Sequence, residues 1–144
     1  FTNSLVEETI AYYNEAINMA TVRIQPLTCY YHRDMRTDMF SGTALTGVQP
    51  YMGNEIPDLT GCVVFTDFVK KGEPPARGVL AYTKVRADCR QNDYSIIDVN
   101  YNFGSRPAFY VSLGTNSAQS KLYLGAYGSS NVTDFNQGTV FEIV

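Results

Sequence analysis

His32 is the only histidine in the chain, and residues that could act with it lie nearby in the sequence. Hydrolysis by a serine or cysteine enzyme needs a nucleophile, a base and a carboxylate that orients the base. Cys29 or Ser41 could supply the nucleophile and Asp34 or Asp38 the carboxylate. We single out His32, Asp34 and Ser41 as the catalytic candidates. No Gly-x-Ser-x-Gly elbow accompanies them, so residue type and proximity alone indicate this set.

The same stretch is also typical of a strand end that carries a charged cluster. Arg33, Asp34 and Arg36 adjoin His32, and such groups usually form a solvated or salt-bridged surface. A lone histidine more often has a structural role than a catalytic one. A metal site built from His32, Asp34 and Asp38 would lack a recognisable ligand spacing.

The cysteines and glycines add no further chemistry. The spacing of Cys29, Cys62 and Cys89 does not match a zinc site. It leaves open whether one disulfide forms or all three thiols are reduced and mostly buried, which is the simpler expectation. No phosphate-binding loop motif is present. We therefore expect neither a metal nor a cofactor.

An unusual aromatic content suggests a recognition surface. The chain has 11 tyrosines and 8 phenylalanines, no tryptophan and only 17% charged residues. Tyrosine gives a large contact area at low entropic cost, although in β proteins it is more often a half-buried sheet residue. The candidate binding residues share a position beside the charged stretch or at a hairpin tip: Tyr30, Tyr31, Lys71, Glu73, Arg77, Asn116 and Ser117.

Composition and charge exclude some functional classes. The net charge is −3 and the longest basic run is Lys70-Lys71, so no basic footprint for nucleic acid is visible. No apolar segment approaches the ~20 residues that span a bilayer. The 144 residues are expected to form a single domain, 1–144. Because the chain begins at Phe1, we expect a fragment of a longer polypeptide.

Residues Ser4 to Met19 have the pattern of an amphipathic helix. Ser4 and Glu7 fit a capping box. An apolar stripe with helical spacing follows, formed by Val6, Ile10, Tyr13, Ile17 and Ala20. We expect Ile10, Tyr13 and Ile17 to contact a sheet.

Strand-like segments fill the rest of the chain. Alternation and turn residues predict two hairpins and two further strands: Cys62 to Val69 with Val79 to Ala87, Phe109 to Leu113 with Leu122 to Tyr127, Ser95 to Phe103, and Thr139 to Val144. The predicted class is α+β, with the N-terminal amphipathic helix packed on a predominantly antiparallel β-sheet. The alternative is a β-sandwich with a peripheral helix.

Two segments resemble the capsid proteins of picorna-like viruses. They run from Val22-Arg23-Ile24-Gln25-Pro26-Leu27 to Thr46-Gly47-Val48-Gln49-Pro50, and a Tyr/Thr/Asn-rich texture of low charge follows. The chain looks most like the projecting domain of an iflavirus capsid protein. That resemblance implies a surface domain, released from a larger polyprotein product, that engages host cells or membranes during entry. It also implies a suspected Ser-His-Asp hydrolase-like cluster, in which only His32 could be the histidine.

These observations lead to one main hypothesis and two alternatives. The main one is a non-enzymatic attachment domain that projects from a virion and engages a host receptor or membrane. Its partners would be a host-cell surface protein, glycan or membrane and neighbouring capsid subunits, without nucleic acid. Its location would be the virion surface or the extracellular space. The alternatives are a small esterase- or lipase-like hydrolase centred on His32, and a cystatin-like α+β module that binds a ligand or protein.

Overall fold

A computed structural model describes Ala11, Glu15 and residues 26–32, 40–72, 74–85, 90–91 and 93–144. The strands within these ranges are β1 Thr28–Cys29, β2 Tyr31–His32, β3 Ser41–Gly42, β4 Leu45–Tyr51, β5 Cys62–Asp67, β6 Val79–Lys84, β7 Arg90–Gln91, β8 Ser95–Ile97, β9 Phe109–Thr115, β10 Leu122–Tyr127 and β11 Gly138–Ile143. A short 3-10 turn, Pro57–Leu59, lies between β4 and β5. No helix in the described ranges is long and apolar enough to cross a bilayer.

Two antiparallel sheets form the body of the protein. One has the strand order β4-β5-β6-β8 and the other β11-β10-β9. Their facing residues share one apolar cluster, here called the inter-sheet core: Tyr51, Leu59, Val64, Leu80, Ala108, Tyr110, Leu113, Leu122, Leu124 and Ala126. Because both sheets contribute to this core, the architecture is that of a β-sandwich.

The two central strands of the four-stranded sheet, β5 and β6, are buried on both faces. Val64 and Leu80 point into the inter-sheet core, whereas Phe65 and Ala81, the next residues along β5 and β6, belong to a second cluster. This second cluster, here called the Phe40 cluster, also contains Phe40 and Val79, with Tyr30 and Tyr94 packed against it. Alternation of side chains along a strand explains how β5 and β6 serve both clusters.

Short parallel pairs, β1 with β7 and β2 with β3, connect the segment around residue 30 to the rest of the fold. In the second pair, Tyr31 is opposite Ser41 and His32 is opposite Gly42. This pairing places Tyr30 over the outer face of the four-stranded sheet, where its ring centroid lies 4.6 Å from that of Phe40.

The predicted α+β class is wrong, because two packed sheets make up most of the described residues. The helix predicted over Ser4 to Met19, including Ile10, Tyr13 and Ile17, lies outside the described residues except at Ala11 and Glu15. Both of these have helical backbone and are exposed, and neither belongs to the apolar stripe that we expect to contact a sheet. Within the described ranges, one sheet packs on the other, as in the sandwich alternative.

The two predicted hairpins are confirmed. β5 pairs with β6 and β9 with β10, each antiparallel. The strand predicted over Ser95 to Phe103 ends instead at Ile97. Its alternation persists beyond the pairing, since Ile97, Val99 and Phe103 all pack against the inter-sheet core.

Candidate functional site

Three aromatic rings pack together beside the inter-sheet core. Tyr101 and Phe103 follow β8, and Phe141 lies on β11. The ring centroid of Tyr101 is 4.8 Å from that of Phe103 and 4.5 Å from that of Phe141. Such edge-to-face and tilted contacts favour a fixed ring arrangement. Tyr101 is nevertheless 53% exposed, so the trio presents an aromatic face to solvent.

Arg77 fixes the segment that carries these rings. Its guanidinium lies 5.1 Å from the Phe103 ring centroid and donates to the carbonyl oxygens of Gly104, at 2.8 Å, and Arg106. Backbone hydrogen bonds from Gly78 to Ala108 O and from Ala108 to Ala76 O add to this bracing. A cation over an aromatic face is itself attractive. The wall of the site is therefore preorganised before any ligand binds.

A groove of about 230 Å³, here called the Tyr101 groove, lies beside the rings. Its polar lining consists of Asn102, Arg106, Tyr127, Asn136, Gln137 and Thr139. Two further cavities of about 250 and 350 Å³ adjoin the rings, and Tyr101 lines both as well. Aromatic walls with a few polar groups are typical of sites that bind small molecules or sugar units.

The chemistry of the Tyr101 groove suits binding rather than catalysis. None of its described lining residues is a histidine, cysteine, aspartate or glutamate, so no nucleophile with an adjacent base is available there. The described part of the chain also contains no group of three or more potential metal ligands. What the groove offers is stacking area, amides, hydroxyls and one exposed guanidinium.

The residues predicted for catalysis do not lie at this groove. His32 is exposed, and its Nε2 lies 2.7 Å from the carbonyl oxygen of Thr43. Since a carbonyl only accepts, that nitrogen must carry a proton and cannot act as a base while the bond is made. Ser41 is 4% exposed, and its hydroxyl has no hydrogen-bond partner in the described structure. Asp34 lies outside the described residues.

The strand register separates the two described members of that set. Ser41 is opposite Tyr31, and His32 is opposite Gly42. Successive side chains of a strand point to opposite faces, so Ser41 and His32 belong to opposite faces of this pair. The two residues are close in sequence, but the structure does not align them as nucleophile and base.

Tyr30, a predicted binding residue, packs against the Phe40 cluster. Its hydroxyl donates to Oδ2 of Asp67 at 2.8 Å. Burial, and then the hydrogen bond to this carboxylate, raise the pKa of Tyr30 above its ordinary value. The phenol therefore stays neutral and serves as a structural anchor. Tyr31 is half-buried beside it.

The first predicted hairpin tip contains Lys71, Glu73 and Arg77. Lys71 is exposed, and Glu73 lies outside the described residues. Arg77 points back onto the molecule, over Phe103, as described above. Of these predicted contact residues, Arg77 is thus the one that the structure brings to the candidate site, as a brace.

The second predicted tip, at Asn116 and Ser117, has a structural explanation. The Asn116 Oδ1 accepts hydrogen bonds from the backbone N–H groups of Ser120 and Lys121, at 2.8 and 3.1 Å. This closes the β9–β10 turn, whereas Ser117 is exposed. The tip is also attached to the β4–β5 loop, because Met52 N donates to Gln119 O at 3.1 Å.

The cysteines differ from expectation in one respect. Cys29 and Cys62 are both free thiols, and Cys62 is buried, but Cys29 is exposed. Cys89 lies outside the described residues. The expectation of buried thiols therefore holds for Cys62 but not for Cys29.

Sequence reasoning missed the Tyr101 groove. Tyr101 and Phe103 were placed in a regular strand, and Phe141 in another that is distant in sequence. The apolar alternation continues to Phe103, and Gly104 lies beyond the predicted strand, so the sequence holds no local signal that pairing ends at Ile97.

Comparison of the chain with protein-family models, with curated proteins and with solved structures found no match in any of the three. The geometry of the site is therefore the basis for a functional proposal.

Proposed function

We propose that this domain is a non-enzymatic attachment module that binds a glycan of the host-cell surface in the Tyr101 groove. The observation that carries the proposal is the Tyr101 ring, which is half-exposed and lines all three cavities. An exposed ring held by Phe103 and Phe141 offers a flat face for the C–H face of a sugar ring.

The polar lining of the groove supports a carbohydrate ligand. Asn102, Asn136 and Gln137 supply amides that can both donate to and accept from sugar hydroxyls. Arg106 adds a cation that would pair with the carboxylate of an acidic sugar. The low overall charge of the chain agrees with a ligand held by stacking and neutral hydrogen bonds.

The placement on a virion is part of the proposal and is supported by the resemblance to capsid projecting domains. An attachment domain on a virion is present in many copies. Weak single-site affinity for a glycan then suffices, because multivalent contacts raise the overall affinity by orders of magnitude. Neighbouring capsid subunits would be its constant partners.

The test is binding of the isolated domain to an array of neutral and sialylated glycans, followed by titration of the best glycan by NMR. We expect Tyr101→Ala to weaken binding at least about tenfold, since truncation of a central aromatic hot spot typically costs about 2 kcal/mol or more. His32→Ala, a surface change outside the groove, is the matched control and should keep wild-type affinity. Absence of binding to every glycan, or undiminished binding by Tyr101→Ala, would contradict the proposal.

A further inference from the structure

The loop between β10 and β11, residues 128–137, displays two apolar side chains to solvent. Val132 is 90% exposed and Phe135 is 87% exposed. Both lie near the tip of the loop, three positions apart. Scattered exposed apolar residues are common on protein surfaces. Here two of them share one short loop, and each has most of its surface in water.

A polar network holds the backbone of this loop in place. The Tyr127 hydroxyl lies 2.7 and 2.9 Å from the carbonyl oxygens of Asn131 and Asp134. The Asp134 carboxylate accepts from the Ser129 hydroxyl and from Asn131 Nδ2, the latter at 2.9 Å. Gly128 N closes the base of the loop on Gln137 O at 2.9 Å. The polar groups are used internally, so Val132 and Phe135 are held outward on a preorganised support.

The charge of the loop is compatible with an uncharged surface. Asp134 is the only charged residue between positions 128 and 141, and there is no lysine or arginine in that stretch. The Asp134 carboxylate is exposed and accepts hydrogen bonds from the neutral side chains of Ser129 and Asn131, so the tip carries one negative charge and no positive one. It has no cation with which to attract anionic lipids.

We propose that Val132 and Phe135 insert into the outer part of a zwitterionic bilayer. Two side chains on a convex tip cannot by themselves supply the ~800 Å² per partner of an ordinary protein interface. A bilayer needs no complementary shape and accepts apolar side chains from a loop whose single charge, on Asp134, can stay hydrated among the headgroups. Asn131, Thr133 and Asn136 would then lie at the level of the headgroups.

The tip and the Tyr101 groove belong to the same end of the molecule. Gly128, Asn136 and Gln137, at the base of the loop, also line the groove. A domain whose groove faces a membrane-borne glycan thus turns the tip toward the lipid. The inference deepens the proposed function by naming the membrane as a direct partner, and its test uses lipid without glycan, so that either can fail alone.

Asn131-Val132-Thr133 is also a glycosylation sequon in the same tip. Asn131 has a structural role there, since its Oδ1 accepts from the Thr133 hydroxyl at 2.9 Å and its Nδ2 donates to Asp134. These bonds account for the residues of the motif without a sugar chain.

The chain contains no tryptophan, so Phe135→Trp creates a single fluorescent reporter at the tip. Vesicles of phosphatidylcholine at millimolar lipid should shift its emission to shorter wavelength, and brominated phosphatidylcholine should quench it. Tyr123→Trp, toward the other end of β10, is the matched control and should show neither effect. Phe135→Ser should lower partitioning of the protein into vesicles about tenfold or more, as expected from the loss of one buried phenylalanine.

Unchanged emission of Phe135→Trp in the presence of vesicles would overturn the inference. So would a blue shift that grows with protein concentration without lipid, because a second copy of the chain would then cover the tip. The double variant Tyr101→Ala/Phe135→Trp should respond to lipid like Phe135→Trp alone. Loss of the response in that double variant would also contradict insertion by the tip.

Discussion

Asp67, at the end of β5, joins the segment around Tyr30 to the four-stranded sheet. Its side chain is fully buried, at 0% exposure. The carboxylate accepts hydrogen bonds from the backbone N–H groups of Thr43, Ala44 and Val69 at 2.9 to 3.1 Å and from the Tyr30 hydroxyl. A buried carboxylate is tolerated when its oxygens are this well satisfied. Asp67 thus connects three separate segments through one end of β5.

Replacing Asp67 with Asn should destabilise the fold by about 3 kcal/mol, because an NH₂ group would face donors and the charge-assisted bonds would be lost. The measurement is urea unfolding followed by circular dichroism. Asp58→Asn, in the exposed part of the 3-10 turn, is the control and should change stability by less than about 0.5 kcal/mol. Equal effects of the two variants would show that the Asp67 network contributes little.

At the level of single residues, the sequence shows which chemical groups are present but not where each side chain points. Arg77 was a reasonable contact residue at a hairpin tip, yet its guanidinium turns inward over Phe103. His32 is a candidate base by residue type, yet its Nε2 is turned toward the carbonyl oxygen of Thr43. In both cases the partner is a ring or carbonyl that is 11 or more positions away in sequence, so local pattern could not reveal it.

At the level of elements, the alternation of apolar and polar residues predicts which strands pair but not where β8 ends. The β5–β6 and β9–β10 hairpins follow from runs of alternating side chains around turn residues. Beyond Ile97 the apolar alternation continues, but the backbone leaves the sheet. The alternating apolar residues after Ile97 pack against the inter-sheet core, although their backbone pairs with no strand of the described structure. This is why Tyr101 and Phe103, on which the groove depends, were assigned to a strand.

The close approach of β4 to β9 gives a prediction at this scale. A Cβ atom on Gly47 would lie 2.6 Å from Leu113 Cβ and 2.7 Å from its backbone N. Gly47→Ala must therefore push the two strands apart, and we expect a loss of about 2 kcal/mol, as for other overpacked sites. Unfolding in urea, with the midpoint compared to wild type, measures it.

Gly114→Ala is the matched control, since nothing lies within 4 Å of a Cβ at that position. That variant should be neutral or slightly stabilising, because alanine reduces the entropy of the unfolded chain. If Gly47→Ala were as stable as Gly114→Ala, the contact between β4 and β9 would be looser than the structure has it.

For the whole molecule, the two apolar clusters share β5 and β6. Val64 and Leu80 enter the inter-sheet core, and their neighbours Phe65 and Ala81 enter the Phe40 cluster. If β5 and β6 separated from one cluster, residues of the other cluster would also become exposed. We therefore expect the described sandwich to unfold as one cooperative unit, as small single domains usually do.

Phe40→Ala tests this coupling. Phe40 is buried, and its ring centroid lies 4.6 and 5.1 Å from those of Tyr30 and Tyr94. Its truncation should cost about 3–5 kcal/mol. A tryptophan at Tyr123, on the three-stranded sheet, reports from the far side of the sandwich. Its fluorescence and the far-UV circular dichroism should show the same lowered urea midpoint, while Phe135→Ala, on the exposed loop, leaves both unchanged. A fluorescence midpoint that stays at the wild-type value would mean that the three-stranded sheet survives loss of the Phe40 cluster, and that the clusters are stabilised independently.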